Sequence, residues 1–143
     1  MINETIEKFG YPDTLIREYR HWMLLLRPAQ VTLGSMVLAA KSDATRLHQI
    51  SPEAFSEQHE IISDVERLLD AHVAPQKINY LMLMMVDPHV HSHVIPRYEG
   101  SRQFAGLDFE DHGWPGPPDL GKAVKMEKTV ARQIINAFQA DLC

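Results

Sequence analysis

The sequence predicts an α+β fold in which helices pack on one antiparallel sheet. Residues 15–26 and 33–40 are rich in aliphatic and aromatic residues and are separated by the turn-forming segment RPAQVT, which is typical of a hairpin. Residues 52–72 repeat apolar residues at helical spacing. The elements follow one another as helix, two strands, helix, two strands, loop and helix, an order that favours an antiparallel sheet.

The helices carry local signals for their ends. A short first helix over residues 2–9 is predicted to end at Gly10. In the main helix, Ser51 can cap the first turn, Pro52 suits its first position, and Glu53 favours the positive end of the helix dipole. The residues predicted to face the core are Phe55, Ile61, Ile62, Val65, Leu68 and Leu69.

Residues 77–86 (KINYLMLMMV) are predicted to form a buried central strand, because the central run is apolar on both faces. We expect its methionines to pack in the core rather than bind a soft metal ion. Asp87 and Pro88 then form a turn, and residues 89–97 return as the next strand.

The composition changes after this strand. Residues 99–121 contain five of the seven glycines and three of the nine prolines, which predicts a long ordered loop over the surface. Apolar residues recur over residues 122–140 and predict a C-terminal helix. We expect residues 1–143 to form a single domain, because a chain of this length can bury a core without disulfides or metal ions.

Charge and cysteine content argue against several classes of protein. A net charge of -5 with neutral histidines argues against a nucleic-acid-binding protein, which needs a basic face. Cys143, the only cysteine, cannot form an intramolecular disulfide, so nothing indicates an oxidising compartment. The longest apolar run, residues 80–86, is shorter than the ~20 residues of a membrane-spanning helix. No signal-peptide pattern is present, and we expect a soluble, cytoplasmic protein with no membrane partner.

The segment DPHVHSHVIPRY places His89, His91 and His93 at alternate positions of the last predicted strand. Alternate side chains of a strand lie on one face, ~7 Å apart at successive steps, so the sequence predicts a row of imidazoles. The row could be a solvated polar face, a metal site completed by another ligand, or a nucleophilic imidazole with neighbours that orient it and move protons. Strict alternation beside an apolar strand argues against the first explanation, and spacing alone favours nucleophilic catalysis only modestly over metal.

The segment HVHSHVIPR, residues 89–97, resembles the signature of the histidine triad (HIT) hydrolases. In that signature three histidines alternate with mostly apolar residues and are followed by two apolar residues and often Pro-Arg; here Ser92 occupies one apolar position. Residues 22–55 are similar to the family's strand, proline-containing loop, strand and helix. The resemblance covers residues 15–98.

The resemblance implies a HIT-like fold, an antiparallel sheet with a main helix packed on it and a C-terminal helix, usually in a homodimer. It implies a small-molecule nucleotide partner, taken as a purine nucleotide, that is cleaved at its α-phosphorus without a metal ion or other cofactor. His91 would attack and form a covalent nucleotidyl-histidine, His93 would assist the leaving group, and His89 would support the nucleophile. The resemblance implies either a phosphoramidase or a dinucleoside polyphosphate hydrolase. Related transferases carry glutamine at the third histidine position, so His93 favours hydrolysis over nucleotidyl transfer.

The chain departs from the family pattern at the positions expected to bind substrate. Ser35 stands where many members carry a fourth histidine, and it can donate a hydrogen bond but cannot buffer a proton near neutral pH. Arg27 stands where members often carry Asp or Asn to bind the ribose, and its two interpretations are a phosphate or ribose contact and a surface or structural pairing.

The glycine-rich loop that usually precedes the triad is contracted to MMVDPH. Other donors would then have to bind the phosphate, and the candidates are Ser92, Arg97, Arg102 and the loop over residues 99–121, with Arg97 favoured by proximity. Trp114 could form a wall of the pocket or anchor its loop. These departures leave two alternatives to a hydrolase: a nucleotide-binding or regulatory module with little turnover, and a histidine-ligated metal enzyme.

Overall fold

The computed structural model of the chain describes residues 2–142, and the interpretation of Cys143 lies outside them. Its helices are α1 (Glu4–Lys8), α2 (Pro52–His72) and α3 (Lys128–Ala140), with a 3-10 turn at Leu47–Gln49. Its strands are β1 (Leu15–Glu18), β2 (Trp22–Leu26), β3 (Ala29–Gln30), β4 (Met36–Ala40), β5 (Lys77–Leu81), β6 (His91–Arg97), β7 (Ser101–Phe104), β8 (Leu107–Glu110) and β9 (Val124–Lys125).

Five strands form one antiparallel sheet in the order β1-β2-β4-β6-β5. This confirms the predicted α+β class with an antiparallel sheet. The predicted hairpin is present as β2 paired with β4, in the register Leu24 opposite Leu38. Residues 15–26 form two strands rather than one, because the chain turns at residues 19–21 and β1 pairs back on β2.

Successive side chains of a strand point to opposite faces, so the sheet has two different surfaces. On the surface that we call the helix face, α2 and α3 bury a large apolar core. On the other surface, the histidine face, Ile6 of the N-terminal segment (residues 2–14) is fully buried against the sheet, with Phe9 half-buried beside it. The sheet residues of this second core are Met23, Leu25, Val37 and Ala39.

The main helix begins where its sequence signals predict. The Ser51 hydroxyl accepts a hydrogen bond from the Ala54 backbone N–H at 3.1 Å. The predicted core stripe is wrong at two positions, because Phe55 is 41% exposed and Ile62 is only half-buried. The helix is rotated so that its buried residues are Ala54, Ile61, Asp64, Val65, Leu68 and Leu69.

The prediction of a buried central strand over residues 77–86 is wrong. The strand ends at Leu81 and lies at the edge of the sheet, because β6 pairs with both β4 and β5. The rest of the run belongs to the β5–β6 connection, residues 82–90, where Met85 is 85% and Val86 is 79% exposed. Most of the methionine cluster is therefore outside the core, although Met84 is half-buried against it.

The C-terminal part contains more regular structure than predicted. The loop over residues 99–121 includes a β7–β8 hairpin, whose turn uses positive φ angles at Ala105 and Gly106. The last helix begins at Lys128 rather than at residue 122, because residues 124–125 form β9 and pair with β3.

No helix within residues 2–142 combines the length and apolar character needed to cross a bilayer.

Candidate active site

The three alternating histidines do not all lie on one strand. Strand β6 begins at His91, so His91 and His93 are strand residues, and His89 lies in the β5–β6 connection before it. Opposite the two strand histidines, β4 contributes Ala39 and Val37, and both belong to the apolar core of the histidine face. The predicted row of imidazoles is therefore formed by two strand residues and one residue outside the sheet.

His91 is held in one orientation by its own chain. Its ring is 3% exposed, and its Nδ1 lies 2.7 Å from the backbone oxygen of His89. A carbonyl oxygen can only accept a hydrogen bond, so Nδ1 carries the proton and Nε2 carries the free lone pair. This is the tautomer that a nucleophilic imidazole requires.

His93 is buried beside His91 and is neutral. The two ring centroids are 5.2 Å apart at 79°, and the ring of Phe9 lies 5.6 Å from His91 and 5.7 Å from His93. Burial and, to a lesser degree, the charges of Arg27 and His91 together lower the pKa of His93 to about 4, against an opposing effect of Asp87. At neutral pH His93 can therefore donate one hydrogen bond without carrying charge.

Arg27 follows β2 and lies close enough to the triad for its charge to act on His93. Its Nη1 donates to the Ala29 carbonyl at 2.6 Å, and burial lowers its pKa, although a guanidinium stays protonated at neutral pH. Within residues 2–142, Arg27 Nε and His93 Nδ1 are both buried without a hydrogen-bond partner. Buried polar atoms are nearly always paired, so each of these atoms lacks a partner that a polar ligand could supply.

His89 is bound by a residue that the sequence did not indicate. Its Nδ1 lies 2.9 Å from the hydroxyl of Thr5, which also accepts a hydrogen bond from the His89 backbone N–H at 3.3 Å. Its Nε2 lies 4.0 Å from an Asp43 carboxylate oxygen. Thr5 and Phe9 both belong to the N-terminal segment, and no local pattern in the sequence places that segment beside the triad.

Ser35 does not take the place of a fourth histidine. It is fully buried in the turn before β4, where its hydroxyl donates to the Thr32 carbonyl at 2.8 Å and accepts from the Thr32 N–H at 3.1 Å. These bonds use the hydroxyl proton inside the turn, so Ser35 is a structural residue.

Ser92 lies on the other face of the sheet from the two strand histidines. It pairs with Leu38 of β4, whose side chain lies in the core of the helix face. His91 and His93 point to the opposite surface, so the Ser92 hydroxyl cannot reach a group bound to them.

Arg97 and Arg102 are committed to structural contacts. The buried Arg97 guanidinium binds both carboxylate oxygens of Asp111, at 2.8 and 3.1 Å, and also donates to Asn79 Oδ1 and the Gly116 carbonyl. Arg102 donates to the carbonyls of Val73 and Ala74 and stacks on Tyr98. Both guanidinium groups are engaged in these contacts, and a phosphate contact by either arginine stays a prediction.

Trp114 lies half-buried in the segment that Arg97 anchors. Its backbone N–H donates to the Asp111 carbonyl at 3.4 Å. Among the described residues, no ring contact or hydrogen bond joins its indole to the three histidines. A role in the pocket wall remains a prediction.

A metal ion at the triad would need at least three protein ligands. Residues 2–142 contain no group of three His, Cys, Asp or Glu side chains placed to hold one. His91 Nδ1 is bonded to a carbonyl oxygen and His89 Nδ1 to a hydroxyl. These hydrogen bonds engage only the Nδ1 atoms, so they do not prevent a ring from binding an ion through Nε2.

Replacing Arg27 with glutamine should raise the pKa of His93, because it removes a positive charge that disfavours the imidazolium. The pKa should stay below the ordinary value of 6.5, since burial is the larger cause and remains. NMR titration of the histidine ring protons measures it, with Arg20→Gln as the control, which removes the same charge from an exposed residue before β2. An identical His93 pKa in wild type and Arg27→Gln would show that the two groups are not coupled.

The comparisons with known proteins show the fold. No protein-family model and no curated protein sequence matches this chain. A histidine triad protein from Bradyrhizobium japonicum superposes with a TM-score of 0.77 at 18% identity, over 100% of this chain and 98% of that one. A histidine triad protein from Sinorhizobium meliloti gives 0.77 at 21% identity, over 99% and 96%. A hypothetical histidine triad nucleotide-binding protein from Sulfolobus tokodaii gives 0.67 at 17%, over 90% and 83%.

Proposed function

We propose that this chain, which has the fold of the histidine triad proteins, is a hydrolase that cleaves nucleotide conjugates at the α-phosphate through a covalent nucleotidyl-histidine. The observation that carries the proposal is the tautomer of His91, whose Nδ1 is bonded to the His89 carbonyl so that Nε2 is free to attack. The substrate class, a nucleoside phosphoramidate or dinucleoside polyphosphate, follows from the resemblance of residues 89–97 to the triad signature.

The reaction has two steps. His91 Nε2 attacks the α-phosphorus, a P–N bond forms, and the bond to the leaving group breaks. The positive charge that develops on the ring is stabilised because Nδ1–H already donates to a carbonyl oxygen. Water then attacks the same phosphorus, the P–N bond breaks, and the nucleoside monophosphate and free His91 are released. His93, neutral at working pH, donates a hydrogen bond to the departing oxygen or nitrogen, which takes a proton from solvent as it leaves. The attacking water returns a proton to solvent in the second step, so the net reaction adds one water across the cleaved bond.

Arg27 is the candidate anion-binding residue. Its guanidinium acts electrostatically on His93, and its buried Nε lacks a partner that a phosphate oxygen would supply. Arg27 would thus compensate for the donors that the contracted connection before the triad does not provide. Bound phosphate would also offset the charge of Arg27 and thereby raise the pKa of His93 in the complex.

Little of either strand histidine is accessible on the histidine face. His91 is 3% and His93 is 8% exposed, so a phosphorus atom must approach through a narrow opening. Phe9 contacts both rings, and a change of its side chain or of the N-terminal segment would open the path.

A second candidate function is nucleotide binding without turnover. The observation that favours it is the β5–β6 connection, which presents exposed apolar residues such as Met85 and Val86 where phosphate donors are expected. This module would bind a nucleoside monophosphate through Arg27 but form no covalent adduct.

The test uses the wild-type protein with excess chelator and two substrates, an adenosine phosphoramidate and a diadenosine polyphosphate. We expect release of AMP and, after a quench without acid, a peptide containing His91 that carries the mass of an adenylyl group. Binding of AMP with neither turnover nor adduct would support the binding module instead. Turnover that disappears with chelator would identify a metal enzyme.

A further inference from the structure

The first triad histidine, His89, is hydrogen-bonded to Thr5, a residue near the N-terminus of the chain. His89 precedes β6, so its backbone N–H has no strand partner and donates to the Thr5 hydroxyl at 3.3 Å. On its other side, the Val90 N–H donates to the Ala44 carbonyl at 2.9 Å and fixes the peptide plane that carries the His89 oxygen. The Thr5 hydroxyl thus replaces the ladder hydrogen bond that a strand residue would have.

We propose that Thr5 is a positioning residue of the reaction, which fixes the tautomer and orientation of His89 and acts through it on His91. The inference rests on the proposed function for its kinetic consequence, while the hydrogen bonding that it describes is a property of the free protein. Thr5 does not touch the reacting atoms.

The tautomer follows from the donor count at Thr5. A threonine hydroxyl has one proton to donate and two lone pairs. One lone pair accepts from the His89 backbone N–H, and Thr5 is only 1% exposed, so water is not available to take the hydroxyl proton. His89 Nδ1, at 2.9 Å, is the acceptor in reach. The hydroxyl therefore donates to an unprotonated Nδ1, and the His89 proton resides on Nε2.

The N-terminal segment is held firmly enough to impose this geometry. The Asn3 side chain caps α1 and donates to the carbonyls of Ala40 and Ser42 at 2.9 and 3.0 Å. Lys8 forms an ion pair with Asp87 at 2.8 Å, which joins α1 to the same connection that carries His89. Thr5 lies between these two attachments, so its hydroxyl has a fixed position relative to the sheet.

The fixed tautomer has two consequences. The Nε2–H of His89 lies at a surface cavity of about 430 Å³, which is also lined by Asp43 and Pro88 and whose lining does not include His91. The His89 carbonyl also keeps its place as the acceptor for His91 Nδ1–H, so a disturbance of His89 is transmitted to the nucleophile.

The experiment compares Thr5→Val, which keeps the shape and removes the hydroxyl, with Thr5→Ser, which keeps the hydroxyl. Two-bond ¹H–¹⁵N NMR spectra of histidine report the tautomer of His89 in the free protein. We expect the Nε2–H tautomer in wild type and Thr5→Ser and a mixture in Thr5→Val. Thr14→Val is the matched control, because Thr14 also donates from the N-terminal segment, to the Phe9 carbonyl at 2.7 Å, without contacting a histidine.

Kinetics provide the second readout. Thr5→Val should lower kcat about tenfold, the effect of one lost hydrogen bond, with KM changed less than twofold. Thr5→Ser should keep most of the wild-type kcat. An Nδ1–H tautomer of His89 in wild type, or equal spectra and equal kcat in Thr5→Val and Thr5→Ser, would overturn the inference. Absence of turnover in wild type would contradict the proposed function instead, and the NMR comparison would still decide the role of Thr5.

Discussion

Replacing His91 with alanine should reduce turnover by on the order of 10³-fold or more and abolish the covalent adduct, because the proposed reaction has no other nucleophile. The ring is buried, so alanine would also leave a cavity and could weaken folding. His91→Asn avoids this difficulty, because its carboxamide can still donate to the His89 carbonyl while it lacks the imidazole lone pair. We expect both variants to lack the adduct.

The measurement is AMP release together with intact-protein mass after a quench without acid, and circular dichroism establishes that each variant is folded. His59→Ala is the control, since His59 is exposed on α2. Turnover by folded His91→Asn at the wild-type rate would refute a nucleophilic role for His91.

The second large effect is on stability. Asp111→Ala should lower the free energy of unfolding by about 3–5 kcal/mol, because it leaves the buried Arg97 guanidinium without its charged partner. The same carboxylate accepts hydrogen bonds from the backbone N–H groups of Tyr98 and Gly113, which would also lose their acceptor. Urea unfolding measures the difference.

The matched comparison is Glu18→Ala, which breaks the exposed ion pair with Lys41 and should cost less than about 1 kcal/mol. The double variant Arg97→Met/Asp111→Ala should be less destabilised than the sum of the two single variants, because it leaves no unpaired buried charge. Strict additivity would show that Arg97 and Asp111 do not act as a pair.

The features that could be predicted from the sequence have short-range causes. The cap at Ser51 and the apolar spacing after it lie within α2 itself, and the hairpin of β2 and β4 needs only the segment between them. The three histidines could be recognised as a candidate site by their alternate spacing, although the spacing favours nucleophilic catalysis only modestly over a metal site. The orientation of Ser92 could also be predicted, because neighbouring residues of a strand point to opposite faces and Ser92 adjoins His91.

The features that could not be predicted depend on partners distant in the chain. An apolar run such as residues 80–86 does not show whether its strand lies at the centre or the edge of a sheet, which the order of all five strands decides. Arg97 lies near the triad in sequence, but its partner Asp111 is contributed by the segment after β8. Thr5 lies 84 residues from His89, and no pattern at either position refers to the other.

The N-terminal segment also bears on the order of events in folding. Helix α1 has only five residues, far fewer than a helix needs to persist alone in water, so it can form only on a sheet surface that already exists. Closing the chain between Thr5 and His89 spans 84 residues and carries a correspondingly large entropic cost. A refolding chain should therefore regain its sheet before its N-terminus docks, and the ability to react should be the last property to return.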